Sequence, residues 1–310
     1  MEIMPPMCRP FCLRLCAIAF TATLVSSCGV NLPPRLTPGD DAPQQAANQS
    51  QVPVQVATIP PSAPPKIIGE SAIVVDVASG RVLYAKNADL PRAVASTQKI
   101  ITALCVLDAG DIDKPVTIEA TDAACEPTKL DLKPGEVYSR RELLKVLMVK
   151  SANDVARALA RDVGGDQAAF AALMNRKSTA IGMRNSNFLN PNGLPLGGQH
   201  STARDMAIAA RAAYRSPLIR TYTATKAFTF HFNDGHTREI ENTNKLLKTI
   251  PYCDGLKTGT TNESGRCLVA SGALNGRAAI VVVLKSNSPN IWKDSAKLLR
   301  WALERPAAGI

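Results

Sequence analysis

The chain has 310 residues, of which 45% are hydrophobic, and this is enough for one sizeable core or two packed subdomains. Its formal net charge of +10 is explained by an ordinary soluble basic surface, and the alternative is contact with anionic cell-wall polymers or lipid head groups. Aromatic residues make up only 5% of the chain and are not interleaved with Lys/Arg clusters, which argues against a nucleic-acid partner.

The first 27 residues have the pattern of an export signal. Two arginines precede an uncharged stretch, 15–25, that is too short to span a bilayer, and small residues stand immediately before Cys28. This pattern is typical of a bacterial lipoprotein signal, 1–27, whose removal leaves Cys28 as the lipid-modified N-terminus. An ordinary secretory signal and an uncleaved anchor are the alternatives. All three export the chain, so we expect it in the cell envelope or periplasm, tethered to a membrane by the lipid.

Residues 28–66 form the next unit of the sequence. They contain nine prolines together with Gln, Ala, Asn and Ser, and they show almost no pattern of bulky apolar residues. Such a composition cannot bury enough surface to fold, so the segment is predicted to be a disordered tether. A flexible coil of this length has ends about 35 Å apart on average, which would let a following domain stand off a membrane.

Residues 67–305 have the pattern of a folded domain with strands at both ends and helices between them. The predicted strands are a hairpin, 72–77 and 81–85, and three later strands, 255–259, 267–271 and 278–284. The predicted helices are 139–149, with a capping box from Ser139 to Glu142, and 152–163, 166–180, 202–215 and 289–303. We therefore expect an α/β (α+β) fold in which the terminal strands share one sheet and a helical block is inserted between them.

The first candidate site is a serine and a lysine, Ser96 and Lys99, at the start of an apolar helix. Residues three apart lie on one face of a helix, so the Lys99 amine can take the proton of the Ser96 hydroxyl directly. The next turns are apolar all round, which predicts a buried helix. A lysine that acts as a base near neutral pH needs its pKa lowered from about 10.4 to about 7 or 8, and burial together with a second cation can do this.

Two further motifs follow in the same domain. Ser151 and Asn153 form a Ser-x-Asn motif after the predicted helix 139–149, and Lys257-Thr258-Gly259 lies on a predicted strand. Each motif is weak alone, because Ser-x-Asn recurs at 288–290 and Lys-Thr-Gly can end any strand. Together, and in this order after Ser-x-x-Lys, they predict nucleophilic catalysis by a serine.

The three motifs resemble those of penicillin-binding proteins and class A β-lactamases, and the chain around them is similar to the low-molecular-weight D-alanyl-D-alanine carboxypeptidases. Outside the motifs, the similar stretches are 72–87, 190–194, 198–206, 242–247 and 254–271. This resemblance implies a β-lactamase/transpeptidase-like fold, with an antiparallel sheet flanked by helices and an inserted all-helical subdomain. It also implies that 67–305 is a penicillin-binding D,D-peptidase domain.

The resemblance assigns catalytic roles to three residues. Ser96 is expected to attack the peptide and become acylated, with Lys99 as its base. Ser151 is expected to relay a proton to the nitrogen of the departing D-alanine.

The same resemblance assigns substrate binding to five further residues. Asn153 would hold a substrate carbonyl and fix the base. Lys257 and Thr258 would bind the substrate carboxylate, and the Lys257 charge would help to keep the base neutral. Gly259 would leave the strand edge open to substrate, and the Thr260 N–H would join that of the nucleophile in an oxyanion hole.

The function implied is that of a serine D,D-carboxypeptidase that removes the terminal D-alanine from peptidoglycan stem peptides, with β-lactams as covalent inhibitors and with neither metal nor cofactor. Three alternatives stay open: a D,D-endopeptidase of the same family, a serine β-lactamase, and a non-catalytic β-lactam-sensing lipoprotein that binds cell wall. The sequence has no convincing carboxylate motif for rapid deacylation, which favours a peptidase. The intact motifs argue against a non-catalytic role.

Four cysteines follow the predicted lipid site: Cys105, Cys125, Cys253 and Cys267. In an oxidising compartment they allow three pairings, among which the sequence does not choose. Cys105 lies about half a turn round the helix from Ser96, so we do not expect it to compete as a nucleophile.

Overall fold

Strands from both ends of the domain build one sheet, and helices pack on it. The computed structural model describes residues 63–304. In chain order its strands are β1 (Ser71–Asp76), β2 (Val82–Lys86), β3 (Pro115–Thr117), β4 (Val137–Ser139), β5 (Ala227–His231), β6 (Thr237–Glu241), β7 (Cys253–Thr261), β8 (Gly265–Leu274) and β9 (Arg277–Ser286). Its helices are α1 (Lys99–Asp108), α2 (Ala120–Ala123), α3 (Arg140–Val149), α4 (Asn153–Gly164), α5 (Gln167–Ala180), α6 (Ala203–Tyr214), α7 (Pro217–Ala224), α8 (Leu246–Thr249) and α9 (Asn290–Leu303).

The central sheet is antiparallel, with strand order β2-β1-β9-β8-β7. The terminal strands therefore share one sheet, as predicted, and β7 is one of its edges. Successive residues of a strand face opposite sides of the sheet. Accordingly Ile73 and Val282 enter one core, whereas Val74 and Val281 enter another. Both faces are covered by helices, which explains why these strands are apolar on both sides.

The larger core lies between the sheet and the helical block. Helix α1 packs against α3, α4, α5 and α6. Its apolar residues Ile100, Ile101, Leu104 and Val106 surround the helix axis and are all buried, as the sequence predicts. Helix α9 covers the opposite face by packing on β8 and β9. The inserted helical block is thus confirmed.

The predicted helices are found close to their expected bounds. Helix α3 follows Ser139, whose side chain accepts a hydrogen bond from the Glu142 N–H, while the Glu142 carboxylate accepts one from the Ser139 N–H at 2.8 Å. This is the predicted capping box. Helices α4, α5, α6 and α9 each begin one residue later than predicted.

The helix that carries Lys99 begins later than the sequence suggests. Ser96 lies in a short 3₁₀ turn, Ala95–Gln98, and α1 starts only at Lys99. Ala95 has φ of 49°, a left-handed conformation that ends any regular helix at this point. The serine is therefore on a tight turn before the helix rather than within its first turn.

The four cysteines that the structure describes are free thiols, so none of the three pairings is formed among them. Strand register explains why Cys253 and Cys267 do not form a disulfide with each other. Cys253 pairs with Gly272, and Cys267 pairs with Gly259, which places the two cysteines at different points along β7 and β8. Their Cα atoms are too far apart for a disulfide without moving the backbone.

The predicted signal, 1–27, and Cys28 lie outside the described residues, as does most of the predicted tether, 28–66. Between residues 63 and 304, no helix has both the length and the apolar character required to cross a bilayer.

Candidate active site

Ser96 and Lys99 are in direct contact at the start of α1. The Lys99 Nζ lies 3.0 Å from the Ser96 Oγ. Lys99 is fully buried, whereas Ser96 is partly accessible from solvent. The Ser96 hydroxyl is thus accessible to solvent, whereas the Lys99 amine beside it is not.

Lys99 makes two other contacts, both to hydrogen-bond acceptors. Its Nζ donates to the Asn153 Oδ1 at 2.7 Å and to the Asn192 carbonyl oxygen at 2.7 Å. A neutral amine has two N–H groups and one lone pair. With both N–H groups directed to these acceptors, the lone pair is left for the third neighbour, the Ser96 hydroxyl. The geometry therefore fits a neutral amine that accepts the serine proton.

The electrostatic environment favours the same protonation state. Burial is the main cause that lowers the pKa of Lys99 well below its ordinary value, and the neighbouring Lys257 charge lowers it further. Asp154 and Cys125 act in the opposite direction but more weakly. Burial and a second cation are the two causes that the sequence analysis expects to lower the pKa of this lysine.

The second motif lies where α3 ends and α4 begins. Asn153 is the first residue of α4, and its side chain bridges the Lys99 amine and the Pro127 carbonyl, to which the Asn153 Nδ2 donates at 2.8 Å. Ser151 is buried, with φ of 69°, a left-handed conformation that is uncommon outside glycine. It stands two residues before Asn153, at most about 7 Å along the chain. Within residues 63–304 its hydroxyl makes no hydrogen bond, so it is free to contact a ligand.

The third motif lies on the edge strand β7. Gly259 packs directly against the turn that carries Ser96: a Cβ at this position would come within 3.0 Å of the Ser96 nitrogen and 2.9 Å of the Val94 carbonyl oxygen. The sequence attributes this glycine to an open strand edge for substrate. The structure adds a steric reason, because a side chain would displace the nucleophile's turn.

Lys257 is a second buried lysine in this strand. It is 1% exposed, and burial lowers its pKa to about 7. In the part of the chain that the structure describes, the acceptor found for its amine is the Thr258 carbonyl oxygen at 3.1 Å. Because a single carbonyl stabilises a buried ammonium only weakly, binding of an anion next to the Lys257 amine is favourable.

The hydroxyls of Thr258 and Thr260 have partners that the sequence does not predict. The Thr258 hydroxyl donates to that of Thr243 at 2.7 Å. Arg266, on the neighbouring strand, donates from Nη1 to the Thr260 Oγ1 at 3.1 Å. Thr243 and Arg266 therefore extend the polar surface beside the third motif.

A loop at 190–194 completes the site, and its role is not predicted from the sequence. The Asn192 carbonyl oxygen accepts a hydrogen bond from Lys99 and also lies 3.1 Å from the Ser96 Oγ, so it is the alternative acceptor for the Ser96 proton. Gly193 has φ of 87° and packs against the Ser96 turn, where a Cβ would overlap the Ala95 carbonyl. The Pro-Asn-Gly stretch is a signal for a turn, but a turn motif does not reveal where its carbonyl will point.

The structure brings Ser96, Lys99 and Asn153 into one hydrogen-bonded cluster and places Gly259 against it. Ser151 stands two residues before Asn153 in the chain, and the charge of Lys257 acts on Lys99. Thr258 and Thr260 lie on the same strand as Lys257. A serine with a neutral amine as base, next to a buried cation, can transfer an acyl group from a substrate that carries a carboxylate.

Known proteins are similar to this chain in sequence and in fold. The family model described as D-alanyl-D-alanine carboxypeptidase matches residues 58–288. The chain is 35% identical over 226 residues to D-alanyl-D-alanine carboxypeptidase DacF of Bacillus subtilis, covering 71% of this chain and 58% of that relative. It is 33% identical over 263 residues to the D-alanyl-D-alanine endopeptidase of Pseudomonas aeruginosa, covering 80% and 84%. The crystal structure of D-alanyl-D-alanine carboxypeptidase from Mycobacterium tuberculosis H37Rv superposes with a TM-score of 0.76 at 30% identity, covering 82% of this chain and 98% of that one.

Proposed function

Because the chain belongs to the D-alanyl-D-alanine carboxypeptidase family of serine peptidases, we propose that it removes the terminal D-alanine from peptidoglycan stem peptides through an acyl-enzyme on Ser96. The observation that carries this proposal is the contact of 3.0 Å between the Ser96 Oγ and a fully buried Lys99 amine whose other neighbours are both acceptors. This arrangement supplies a nucleophile and its base without a histidine.

Acylation begins when the Ser96 oxygen attacks the carbonyl between the two D-alanines while its proton passes to the Lys99 nitrogen. The carbonyl oxygen becomes an oxyanion, which the backbone N–H groups of Ser96 and Thr260 stabilise by roughly 3 to 4 kcal/mol per donor. The C–N bond then breaks, and Ser151 relays a proton to the departing D-alanine nitrogen. Water hydrolyses the resulting ester and regenerates the serine.

Lys257 and Thr258 bind the free carboxylate of the terminal D-alanine. Lys257 is buried and has only a backbone carbonyl near its amine among the described residues, so a carboxylate would supply the missing counter-charge. The Thr258 hydroxyl is partly exposed and can donate to the same group. A β-lactam offers a strained amide and a carboxylate in a similar arrangement, so penicillin acylates the same serine.

This proposal is tested by incubating the purified protein with a muropeptide whose stem ends in D-alanyl-D-alanine. Mass spectrometry should show the loss of one D-alanine with the wild-type protein and no loss with Ser96→Ala. Equal D-alanine release by the Ser96→Ala variant would contradict the proposal.

A second candidate activity is D,D-endopeptidase cleavage of cross-linked stems. The Pseudomonas relative is named an endopeptidase, and this chain covers 84% of it. In addition, β7 is an edge strand, so its free edge can accept an extended peptide on the acyl side. A cross-linked muropeptide dimer in the same assay separates the two activities, because an endopeptidase converts it to monomers.

A peptidase of this cell-wall family acts in the cell envelope. We further infer that a lipid on Cys28 holds the enzyme at a membrane and that residues 28–66 act as the tether. The small residues before Cys28 and the proline-rich composition that follows support this inference.

A further inference from the structure

Asp154 is a buried carboxylate that the proposed reaction does not use. It is the second residue of α4 and is fully buried. Its oxygens accept the backbone N–H groups of Leu130 at 3.0 Å, Asp131 at 2.9 Å and Leu132 at 3.3 Å, together with that of Val155 in its own helix at 2.9 Å. Within residues 63–304 no cation forms a salt bridge to it. Four N–H groups thus compensate one buried charge.

The segment that Asp154 holds has an unusual backbone. Thr128 has φ of 72° and Asp131 has φ of 66°, both in the left-handed region that residues with a side chain rarely adopt. Arg238 of β6 gives further support by donating to the Leu130 carbonyl at 3.0 Å and to the Asp131 carboxylate at 3.2 Å. The hydrogen bonds to Asp154 therefore stabilise a conformation that the segment would not adopt unaided.

This segment orients Asn153. The Pro127 carbonyl accepts from the Asn153 Nδ2 at 2.8 Å, and the Thr128 carbonyl accepts from the Asn153 backbone N–H at 2.7 Å. Because the Nδ2 is directed to Pro127, the Oδ1 of the same amide faces the Lys99 amine at 2.7 Å. If the Pro127 carbonyl moved, the amide could rotate and present N–H groups to Lys99 in place of an acceptor.

We propose that Asp154 is a positioning residue for acylation: through the segment 127–132 it fixes the Asn153 amide, and the amide in turn directs the Lys99 lone pair toward Ser96. This inference rests on the proposed function. Asp154 touches neither substrate nor the reacting atoms. Its charge raises the pKa of Lys99 only weakly, so removing that charge would not impair the base, and its positioning role acts through Asn153.

The test compares Asp154→Asn with a matched control, Asp294→Asn, in the full chain. Asp294 is likewise a buried carboxylate that accepts backbone N–H groups, those of Ile68 and Gly69, but it lies on α9 on the other face of the sheet. Time courses of labelling with a fluorescent penicillin give the dissociation constant, the acylation rate constant and the final stoichiometry. Thermal unfolding is measured for each protein.

Asp154→Asn is expected to label to full stoichiometry with a dissociation constant within about threefold of wild type, and with an acylation rate constant about 10- to 100-fold lower. Asp294→Asn should lose thermal stability but acylate at the wild-type rate. A merely structural role for Asp154 predicts a smaller labelled fraction with an unchanged rate constant, and this result would overturn the inference. An equal decrease of the acylation rate constant in Asp294→Asn would also overturn the inference.

Arg238→Ala is a second variant, which removes the hydrogen bonds from Arg238 to the segment 127–132. It should lower the acylation rate constant less than Asp154→Asn does. If Asp154→Asn does not fold, a wild-type acylation rate in Arg238→Ala overturns the inference. Failure of the wild-type protein itself to take label would overturn the proposed function, and the inference with it.

Discussion

Two buried lysines divide the chemistry of the site between them. Burial lowers the pKa of both, yet their neighbours differ. Lys99 has two acceptors and a hydroxyl around it, which suits a neutral base. Among residues 63–304, Lys257 has one backbone carbonyl as its acceptor and no counter-charge. We therefore expect Lys99 to act without its extra proton and Lys257 to act with it.

This difference predicts an alkaline limb in the pH profile of kcat/KM for a substrate that ends in D-alanyl-D-alanine. Lys257, with a pKa of about 7, is protonated below that pH and loses its proton above it. Binding of the carboxylate needs the protonated form, so kcat/KM should fall as the pH rises through about 7. Lys257→Arg keeps its charge throughout this range and should move the limb to higher pH, even if its absolute rate is lower.

The control is an analogue whose terminal carboxylate is amidated, which should show no alkaline limb near pH 7 with the wild-type enzyme. Identical alkaline limbs in the wild-type and Lys257→Arg profiles would contradict the role given to Lys257.

Side-chain motifs reveal the site more readily than backbone groups do. Ser96, Lys99 and Asn153 are predicted from spacing and resemblance, and the structure joins them by hydrogen bonds. The Asn192 carbonyl is as close to Lys99 as Asn153 is, but every residue has a carbonyl. Its direction depends on how the loop 190–194 packs on α1, and local sequence does not encode that packing.

At the level of elements, the turn that carries Ser96 is held between two glycines. Gly259 of β7 packs on one part of it, and Gly193 of the loop 190–194 packs on another. Neither position has room for a Cβ, and the atoms that it would meet are backbone atoms, which cannot move aside cheaply. The proposed nucleophile, Ser96, is thus positioned by close packing of the main chain.

Gly259→Ala should therefore lower the acylation rate constant by about 100-fold, because small displacements of a nucleophile have large effects on rate. Thermal stability should also fall, by about 1 to 3 kcal/mol, as expected for overpacking. Labelling with fluorescent penicillin and thermal unfolding measure the two effects. Gly197→Ala is the control, since Gly197 is exposed and a Cβ there meets nothing within 4 Å. If Gly259→Ala has the acylation rate constant of the wild type, the contact of Gly259 with the Ser96 turn does not position Ser96.

The long helices α3 to α6 and α9 are predicted to within one residue at each end, but most of the short elements are not predicted. Helices α3, α5 and α6 follow residues whose side chains cap them, Ser139, Asp166 and Thr202. Helices α4 and α9 have no such cap but have a pattern of apolar residues that the sequence displays. The strands β3 to β6 and the helices α2, α7 and α8 are missing from the prediction. The hairpin of β5 and β6 depends on contacts such as that of Phe230 with Tyr138, whose ring centroids are 5.2 Å apart. These contacts join residues distant in sequence, so a local pattern does not show them.

For the whole molecule, the proposed lipid on Cys28 decides where the enzyme acts. The proposed catalytic residues all lie after residue 67, and the proposed tether would set how far they reach from the membrane. Cys28→Ser removes the sulfur to which the lipid would be attached. We expect this variant to leave the membrane fraction while its penicillin labelling stays at the wild-type rate. Mass spectrometry of the N-terminal peptide checks the modification directly.

A Cys28→Ser protein that remains in the membrane fraction would favour the uncleaved anchor. An unmodified wild-type N-terminus beyond residue 27 would favour an ordinary secretory signal.

The most direct test of the account is to locate the bond that penicillin forms with the protein. After incubation and trypsin digestion, the peptide 93–99 should carry the added mass of the opened β-lactam, and fragmentation should place it on Ser96 and not on Thr97. The Ser96→Ala protein should carry no adduct. An adduct at Thr97, at Ser151 or at a cysteine, or one that persists in Ser96→Ala, would contradict the claim that Lys99 activates Ser96 as the nucleophile.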